Sequence, residues 1–218
     1  PLTSLRSAVE TVARVEDPDQ QKRLMTIILE DVGRLDRLIS DISDASRLDA
    51  ELSREVGEEV DIGVLLKTLV EVHEVPNLYD EAAVGPKFRL HLPKRDRLIV
   101  QGLEGRLGQV FRNIISNAIT FNPPGGTITL SAARRGSNIR ITVEDEGPGL
   151  PEGKFAAVFN RFYTERPAAE KFGTHSGLGL SISKQVVDAH GGVIRAENRL
   201  APDGTVLGAR FIVTLPTD

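Results

Sequence analysis

Three features that this 218-residue chain lacks limit what it can be. It has no cysteine, so disulfide frameworks and thiolate metal sites are excluded, and a reducing compartment suits it. It has no apolar run approaching the roughly eighteen residues that a membrane-spanning helix needs. It also lacks an excess of positive charge, because 27 Lys and Arg face 31 Asp and Glu, which gives a net charge of −4. General attraction to nucleic acids or anionic membranes is therefore not expected.

The remaining composition, 40% hydrophobic and 27% charged, is that of a globular protein of one or two domains. A polar, acidic stretch around residues 50–59 predicts a boundary, with one domain at 1–52 and a second at 58–218. The sequence begins at Pro1 inside a pattern that is already helical. We therefore expect a fragment of a longer protein.

The first domain is predicted to be a helical hairpin. Asp17 can cap a second helix that has Pro18 in its first turn and runs over about 18–50. Two helices alone cannot bury the apolar seam of this helix, so dimerisation into a four-helix bundle is the simplest completion. The alternative is a hairpin that packs on its own globular domain. The seam consists of Met25, Ile28, Val32, Leu35, Ile39 and Ile42.

The second domain mixes strand and helix patterns, which indicates an α+β fold with a sheet and helices on one of its faces. Alternating apolar residues predict a late hairpin of two strands, 127–133 and 138–144. Helical spacing predicts three helices, and shorter alternating runs predict the other strands. These helices cover about 63–75, 105–121 and 178–190, and the other strands lie near 59–62, 87–92, 98–100, 192–198 and 209–215.

The most informative stretch is 143–180. Asp145 follows a predicted strand, and Gly147 and Gly149 let a flat ligand approach the backbone while the carboxylate accepts a hydrogen bond from its edge. A long polar loop follows, which is typical of a lid or of disorder. Gly177 and Gly179 then open a helix, where backbone N–H groups and the helix dipole favour an anion. One end therefore suits a base and the other suits phosphates.

The helix predicted over 105–121 carries Asn113 and Asn117 four residues apart, so their amides lie on one face. Both interrupt an apolar run, where an unpartnered buried amide is costly. Their oxygens suit Mg²⁺, a cation that takes few protein ligands and shares the rest with phosphates and water. The alternative is a pair of partly exposed asparagines on the polar edge of the helix.

Four motifs, in this order, resemble those of the sensor histidine kinases of two-component systems. The segment RNIISNAITFNPPGG (112–126) resembles their N box, and EDEGPGLP (144–151) resembles their G1 box. VFNRFYTERP (158–167) is similar to their F box, and SGLGLSISKQVVDAHGG (176–192) is similar to their G2 box. The leading PLTSLRSA resembles the residues after the histidine of their H box. The amino-acid sequence of the lid and of the G2 box is most similar to that of ChvG/ExoS-type kinases of alphaproteobacteria.

This resemblance implies a dimeric helical hairpin followed by a two-layer α+β ATP-binding domain of the Bergerat type, with ATP and Mg²⁺ as ligands. Asp145 would bind the adenine amino group, and Asn113 and Asn117 would be the catalytic residues that hold Mg²⁺ and phosphate oxygens. The lid would be anchored by Phe159, Arg161, Phe162 and Tyr163. The implied nucleotide-binding residues are Asn113, Asn117, Phe121, Asp145, Gly147, Gly149, Arg161, Tyr163, Ser176, Gly177, Leu178, Gly179 and Leu180.

Members of this family transfer the γ-phosphoryl group of ATP to a histidine and then to an aspartate of a response regulator. The resemblance therefore implies a homodimer, a response-regulator receiver domain as partner, no nucleic acid, and the cytoplasmic portion of an inner-membrane protein that is anchored upstream. The acceptor histidine would lie before Pro1. The first histidine present is His73, and none of the four histidines has the surroundings of an H box.

Two departures keep other functions open. The family usually has lysine three residues after the second asparagine of the N box, where this chain has Thr120, so one phosphate-binding charge is missing. Ala209 also stands where threonine is common. One alternative is a degenerate nucleotide-binding module that regulates a partner. Another is an ATPase of the same fold, but such ATPases carry a glutamate base where Asn113 stands, and an amide cannot act as that base.

Overall fold

The computed structural model describes residues 9–12, 15, 17–29, 32, 39, 57–74, 85–163 and 177–217. The helices and strands among these residues belong mostly to the second predicted domain, where they form a sheet covered by helices.

The described part of the first domain is helical over residues 9–12 and 18–29 and at positions 32 and 39. The predicted cap is present, because the Asp19 N–H donates to Asp17 Oδ1 at 3.0 Å. Three seam residues remain about half exposed in the single chain, namely Met25 (47%), Val32 (48%) and Ile39 (64%). Most of the predicted 18–50 helix beyond residue 29, with Leu35 and Ile42, lies outside the described residues.

The described part of the second predicted domain contains seven strands and three longer helices. A short 3-10 helix at Ala157–Phe159 lies in the stretch where the sequence predicted only a loop. The elements in chain order are β1 (Glu58–Asp61), α1 (Ile62–Glu74), β2 (Lys87–His91), β3 (Ile99–Gly102), α2 (Glu104–Phe121), β4 (Thr127–Arg135), β5 (Asn138–Glu144), α3 (Gly179–Ala189), β6 (Val193–Leu200) and β7 (Val206–Pro216).

Five strands form the main sheet in the order β2-β4-β5-β7-β6, and β1 and β3 form a separate two-stranded ladder. β2 runs parallel to β4, and the other neighbours are antiparallel. Glu144 at the end of β5 pairs with Arg210 of β7, which in turn pairs with Glu197 of β6. The end of β5 and the later part of β6 therefore lie at the same end of the sheet, on either side of β7.

The core lies between the sheet and the helices. Ile139, Ile141 and Val143 alternate along β5 and are buried, as are Leu107 and Phe111 on α2. Burial of each such side chain stabilises the fold by about 1.5–3 kcal/mol. The other face of the sheet is mostly polar, as Arg140, Thr142 and Glu144 on β5 show, so the predicted two-layer α+β arrangement is confirmed.

Candidate functional site

Asp145 follows β5 directly, and its side chain is only 3% exposed. The backbone ladder continues to it, since the Asp145 N–H donates to Ala209 O of β7 at 3.1 Å. Its Oδ1 accepts hydrogen bonds from the N–H groups of Gly147 and Ala209, both at 2.9 Å. Among the described residues the donors to this carboxylate all bind Oδ1, so Oδ2 is the oxygen left for a ligand.

The surroundings of the Asp145 carboxylate have opposing effects on its pKa. Burial raises the pKa of Asp145 above its ordinary value, because removal from water disfavours the charged form. The N–H groups of Ala209 and Gly147 and the positive charge of Arg199 lower the pKa, by a smaller amount in total. A buried carboxylate held by fixed donors, with one oxygen uncompensated, is typical of a binding site.

The loop 145–150 packs directly against backbone on both sides. A Cβ at Gly147 would come within 2.6 Å of the carbonyl oxygen of Phe121, in the last turn of α2. A Cβ at Gly208 would clash with the carbonyl oxygen of Asp145, and Gly208 has φ +142°. Neither position accepts a side chain, so the loop is fixed closely between α2 and β7.

Asn122 ties the same loop to the end of α2. Its Oδ1 accepts a hydrogen bond from the Glu146 N–H at 2.9 Å. Glu146 in turn accepts one from the Thr127 N–H at 2.9 Å, through Oε2. The end of α2, the start of β4 and the loop after β5 are therefore joined by side-chain to backbone bonds.

The two asparagines of α2 differ in their contacts, although both are half-buried on one side of the helix. Asn113 Nδ2 donates to Gly179 O at 2.9 Å and to Ser183 Oγ at 3.3 Å. These bonds join the middle of α2 to the first turn of α3. Asn117 makes no side-chain hydrogen bond to any residue that the structure describes.

These amides fit a magnesium ion that is shared with phosphates. Because the Asn113 amide nitrogen is engaged with α3, its Oδ1 is the atom that remains for a cation. The described part of the chain holds no cluster of three or more His, Cys, Asp or Glu side chains that could bind a metal. A cation here would therefore take most of its ligands from a bound nucleotide and from water, as Mg²⁺ does.

The start of α3 offers backbone N–H groups. Gly177 has φ +70°, Leu178 is buried, and the helix begins at Gly179. The first N–H groups of any helix have no intrahelical partner, and here the side chain of Leu178 does not cap them. The helix dipole adds partial positive charge at the same place. Ser176, which the resemblance also assigned to this site, lies outside the described residues.

A hydrogen bond joins Phe162, inside the predicted lid, to Gly177 at its far end. The Phe162 N–H donates to Gly177 O at 2.9 Å. Phe162 has φ +62°, which is uncommon for a bulky residue, and its side chain is 66% exposed. Phe159 is instead buried, with its ring 6.3 Å from that of Phe211 in an edge-on arrangement. The segment 164–176 lies outside the described residues.

The other residues implied by the resemblance lie around these elements. Arg161 is exposed, whereas Tyr163 and Leu180 are half-buried and pack against the core. Thr120, where the family usually has lysine, donates its hydroxyl to Ser116 O at 2.9 Å. Its side chain is therefore bonded to its own helix.

Two residues of β6 that were not predicted from the sequence contact the loop 145–150. Arg199 Nη1 donates to Asp145 O at 2.7 Å, and Asn198 bonds both backbone polar atoms of Leu150. No local motif marks them, because their proximity to the loop depends on the strand order. Gly149 lies between, with φ +78°, and a Cβ there would come within 2.7 Å of Asn198 Oδ1.

The fold and this arrangement together define a class of protein, an ATP-binding domain of the α+β type that follows a helical segment. A family model described as histidine kinase-, DNA gyrase B-, and HSP90-like ATPase matches residues 102–218. A second model, the His Kinase A (phospho-acceptor) domain, matches residues 1–51. The chain belongs to the histidine kinase family.

Within this family the chain is similar to sensor protein ChvG. It is 48% identical to ChvG of Rhizobium meliloti (strain 1021) over 223 residues, which cover 99% of this chain and 38% of ChvG. It is 46% identical to ChvG of Agrobacterium fabrum over 218 residues, or 99% of this chain and 37% of that protein. The chain thus spans less than two fifths of the length of these relatives.

A solved structure supports the same assignment. The mycobacterial sensor histidine kinase MprB matches with a TM-score of 0.60 and 28% identity, over 74% of this chain and 97% of that one. The predicted family, its resemblance to ChvG-type kinases and the use of ATP are therefore confirmed. Among the helices that the structure describes, none combines the length and the apolar character needed to cross a membrane.

Proposed function

We propose that the chain is the kinase core through which a two-component sensor transfers phosphate. The bond between the γ-phosphorus of ATP and the ADP oxygen breaks, and a P–N bond forms with a histidine upstream of Pro1, whose imidazole gives up a proton. The phosphoryl group then passes from that nitrogen to an aspartate carboxylate of a response-regulator receiver domain. The histidine is regenerated and ADP leaves.

One observation carries this proposal: the buried Asp145 carboxylate lies in the same small domain as the Asn113 bridge between α2 and α3. The open Oδ2 of Asp145 suits the exocyclic amine of adenine, which can only donate. The uncapped start of α3 suits phosphates. A ligand with a base at one end and phosphates at the other fits both.

In this proposal each residue predicted from the sequence has a place around the nucleotide. Gly147 and Gly149 shape the pocket of the base, and the N–H groups of 177–179 bind phosphate oxygens. Asn113 and Asn117 hold Mg²⁺, which neutralises charge on the β- and γ-phosphates when it is bound. The remaining contacts come from the end of α2, the lid and the first turn of α3, through Phe121, Arg161, Tyr163, Ser176, Leu178 and Leu180.

In phosphoryl transfer the protein contributes positioning and charge neutralisation rather than covalent chemistry. The nucleophile is an imidazole, which the helical hairpin presents to the γ-phosphate. We place this hairpin at residues 1–52 and the catalytic domain at 58–218. The half-exposed apolar residues Met25, Val32 and Ile39 support its pairing with a second copy into a four-helix bundle.

The whole protein is proposed to be anchored in the inner membrane upstream of this chain, with the kinase core in the cytoplasm. The relatives named above are sensor proteins and are much longer than the chain, which supports this location.

One specific observation favours a second candidate, a degenerate module that binds nucleotide without transferring phosphate. Thr120 replaces a cation, and its hydroxyl is bonded to Ser116 O rather than free for a phosphate. An ATPase is disfavoured, because Asn113 cannot act as a base and its amide nitrogen holds Gly179 and Ser183.

Calorimetric titration with a non-hydrolysable ATP analogue in Mg²⁺ tests the nucleotide site. Asp145→Asn removes the charge but keeps the acceptor at Oδ1, so we expect affinity to fall about 10- to 100-fold, as loss of a charge-assisted hydrogen bond predicts. Asp188→Asn is a matched control, since Asp188 is exposed on α3 and pairs with Lys184. Unchanged affinity of the Asp145 variant would show that the base binds elsewhere. Release of inorganic phosphate from ATP at a substantial rate, without an acceptor, would favour the ATPase.

A further inference from the structure

The outer face of the main sheet, defined as the side turned away from the helices, is strongly basic, although the whole chain has a net charge of −4. On β5, for example, Ile139 and Ile141 are buried in the core, so the residues between and beside them point outward. Of the lysine, arginine and acidic side chains that point outward from the described strands, seven are cations and two are anions. The cations are Lys87, Arg89, Arg135, Arg140, Arg195, Arg199 and Arg210, and the anions are Glu144 and Glu197.

Both carboxylates of the outer face are already paired with arginines. Arg210 lies 2.5 Å from Glu144 through Nε and 2.9 Å from Glu197 through Nη1. Arg199 Nε also lies 3.4 Å from Glu144 Oε2. The side chains of the five other cations are exposed, and they make no ion pair or hydrogen bond with any residue that the structure describes. These unpaired cations are Lys87, Arg89, Arg135, Arg140 and Arg195.

The unpaired cations are spread over the whole sheet rather than gathered into a pocket. Arg89 lies on the edge strand β2, Arg140 on the central strand β5, and Arg195 on the opposite edge strand β6. Because neighbouring strands lie about 4.8 Å apart, the two edges of this five-stranded sheet are roughly 19 Å apart. A single small anion cannot contact both edges. The outer face therefore fits a broad anionic surface.

The acidic residues elsewhere in the domain do not cancel this local charge. Exposed acids such as Glu71 on α1 and Asp188 on α3 lie on the opposite side of the domain, beyond a helix layer about 10 Å thick. Charges in water are screened over about 8 Å at physiological ionic strength. A surface that approaches the outer face therefore meets the cations of the sheet, and the net charge of the chain does not decide the interaction.

We propose that the outer face of the sheet is a docking surface for the anionic lipid headgroups of a membrane. Four of the five unpaired cations are arginines, whose planar guanidinium groups bind phosphate oxygens in pairs. Each Lys or Arg near an anionic lipid surface strengthens binding by a factor of about five. The inference rests on the proposed anchorage of the whole protein, because the anchor keeps the domain near lipid. It does not depend on nucleotide binding.

Sedimentation of the 218-residue chain with lipid vesicles tests this inference. Vesicles with about one third phosphatidylglycerol should bind the chain at least about 10-fold more tightly than vesicles of phosphatidylcholine alone. Raising the salt concentration from about 0.1 M to about 0.5 M should abolish the difference, because exposed charges are screened. Equal binding to both kinds of vesicle, or none to either, would overturn the inference.

A matched pair of double variants separates the outer face from net charge. Arg140→Gln combined with Arg195→Gln should weaken binding to the anionic vesicles about 10- to 30-fold. Lys67→Gln combined with Lys184→Gln removes the same number of charges from exposed positions on α1 and α3, and should stay within about 2-fold of wild type. Arg140→Lys with Arg195→Lys keeps the charge and should retain most of the binding. Equal weakening by the two Gln pairs would overturn the inference.

Two further measurements distinguish the partner and the proposed function. Tight binding of a short DNA duplex without binding of anionic vesicles would assign the outer face to nucleic acid and overturn the inference. Titration with the ATP analogue should give wild-type affinity for both Gln pairs, since neither changes the nucleotide site. If wild type binds nucleotide but no anionic vesicle, the inference fails alone. If the vesicle results are as expected but wild type binds no nucleotide, the proposed function fails and the inference stands.

Discussion

Asp145 combines a cost in stability with a capacity to bind. Its carboxylate is removed from water, and the N–H donors that compensate it act on Oδ1 alone. The remaining oxygen is the part that a base amine would satisfy. A residue of this kind destabilises the empty domain relative to a neutral side chain and is kept for what it recognises.

The pH dependence of stability should reveal this cost. Burial raises the pKa of Asp145 in the folded state, so between the ordinary and the raised value the folded chain holds more protons than the unfolded chain. The contribution of this group to stability is thus full at low pH and falls as pH rises through the raised pKa. Asp145→Asn lacks this pH-dependent contribution while keeping the acceptor at Oδ1.

Thermal unfolding of both proteins between about pH 3 and pH 7 measures the effect. The variant is expected to gain stability relative to wild type as pH rises, and to be the more stable of the two at neutral pH. A difference that stays constant with pH would mean that the Asp145 carboxyl is not perturbed by burial.

Single residues were predictable where the signal is local. Asp145, Gly147 and Gly149 lie within five positions and carry a recognisable order, and close backbone approach at Gly147 follows from its lack of a side chain. Asn198 and Arg199 reach the same loop, but nothing near them in the sequence indicates it. Their contacts depend on the strand order and on a register shift near the end of β6.

At the scale of elements, the site depends on how α2 and α3 are joined. Asn113 donates its amide to the first turn of α3, so it contributes to structure as well as to any cation site. Asn117 lies four residues later and has no such bond to a described residue. The two asparagines should therefore respond differently to truncation.

Asn117→Ala is expected to weaken Mg²⁺-dependent nucleotide binding about 10-fold, with little change in Mg²⁺-free binding or in the unfolding temperature. Asn113→Ala should weaken both kinds of binding and also lower the free energy of unfolding by about 1–3 kcal/mol, because the bonds from its amide nitrogen to Gly179 O and Ser183 Oγ, which join α2 to α3, are lost. Titrations with and without Mg²⁺ and urea unfolding separate the two. An equal loss of Mg²⁺-dependent and Mg²⁺-free binding in Asn117→Ala would assign that residue to the fold.

His190 makes a second connection between α3 and α2. Its Nδ1 bonds Val186 O at 2.7 Å, and its Nε2 accepts the Leu103 N–H at 3.1 Å, just before α2 begins. Gly102 is needed beside it, since a Cβ there would come within 2.5 Å of the imidazole ring. The imidazole therefore carries its proton on Nδ1 and joins the end of one helix to the start of the other.

Removal of this imidazole should destabilise the domain. We expect His190→Ala to lower the free energy of unfolding by about 1–3 kcal/mol, because the half-buried Leu103 N–H loses its acceptor. His91→Ala is the control, with a change within about 0.5 kcal/mol, since His91 is exposed on β2. Urea unfolding measures both, and equal effects would contradict the role of His190 as a connection.

Periodicity located most elements of the second domain. The hairpin β4–β5 and the helix α2 lie where alternation and helical spacing place them, because each buries one face against the core. The parallel pairing of β2 with β4 was not predicted, since it joins segments that flank a helix and carries no turn signal. The 3-10 helix at Ala157–Phe159 was also missed, because its Phe159 is buried by a tertiary contact with Phe211.

At the scale of the whole molecule, association through the seam is the main expectation. Val32 is helical and 48% exposed in the single chain, and a charge at that position would be buried on pairing. Light scattering at tens of micromolar should give a dimer for wild type and for the control Arg23→Glu, and a monomer for Val32→Glu. A monomeric wild type would contradict the four-helix bundle.

Transfer of label from γ-labelled ATP tests the central claim most directly. A chain extended upstream through the expected histidine should take up acid-labile, base-stable label and pass it to a response-regulator receiver domain. The 218-residue chain should bind Mg²⁺–ATP but take up no such label, because its first histidine is His73. Acid-labile label on the shorter chain, or none on the extended chain despite measured ATP binding, would contradict the account.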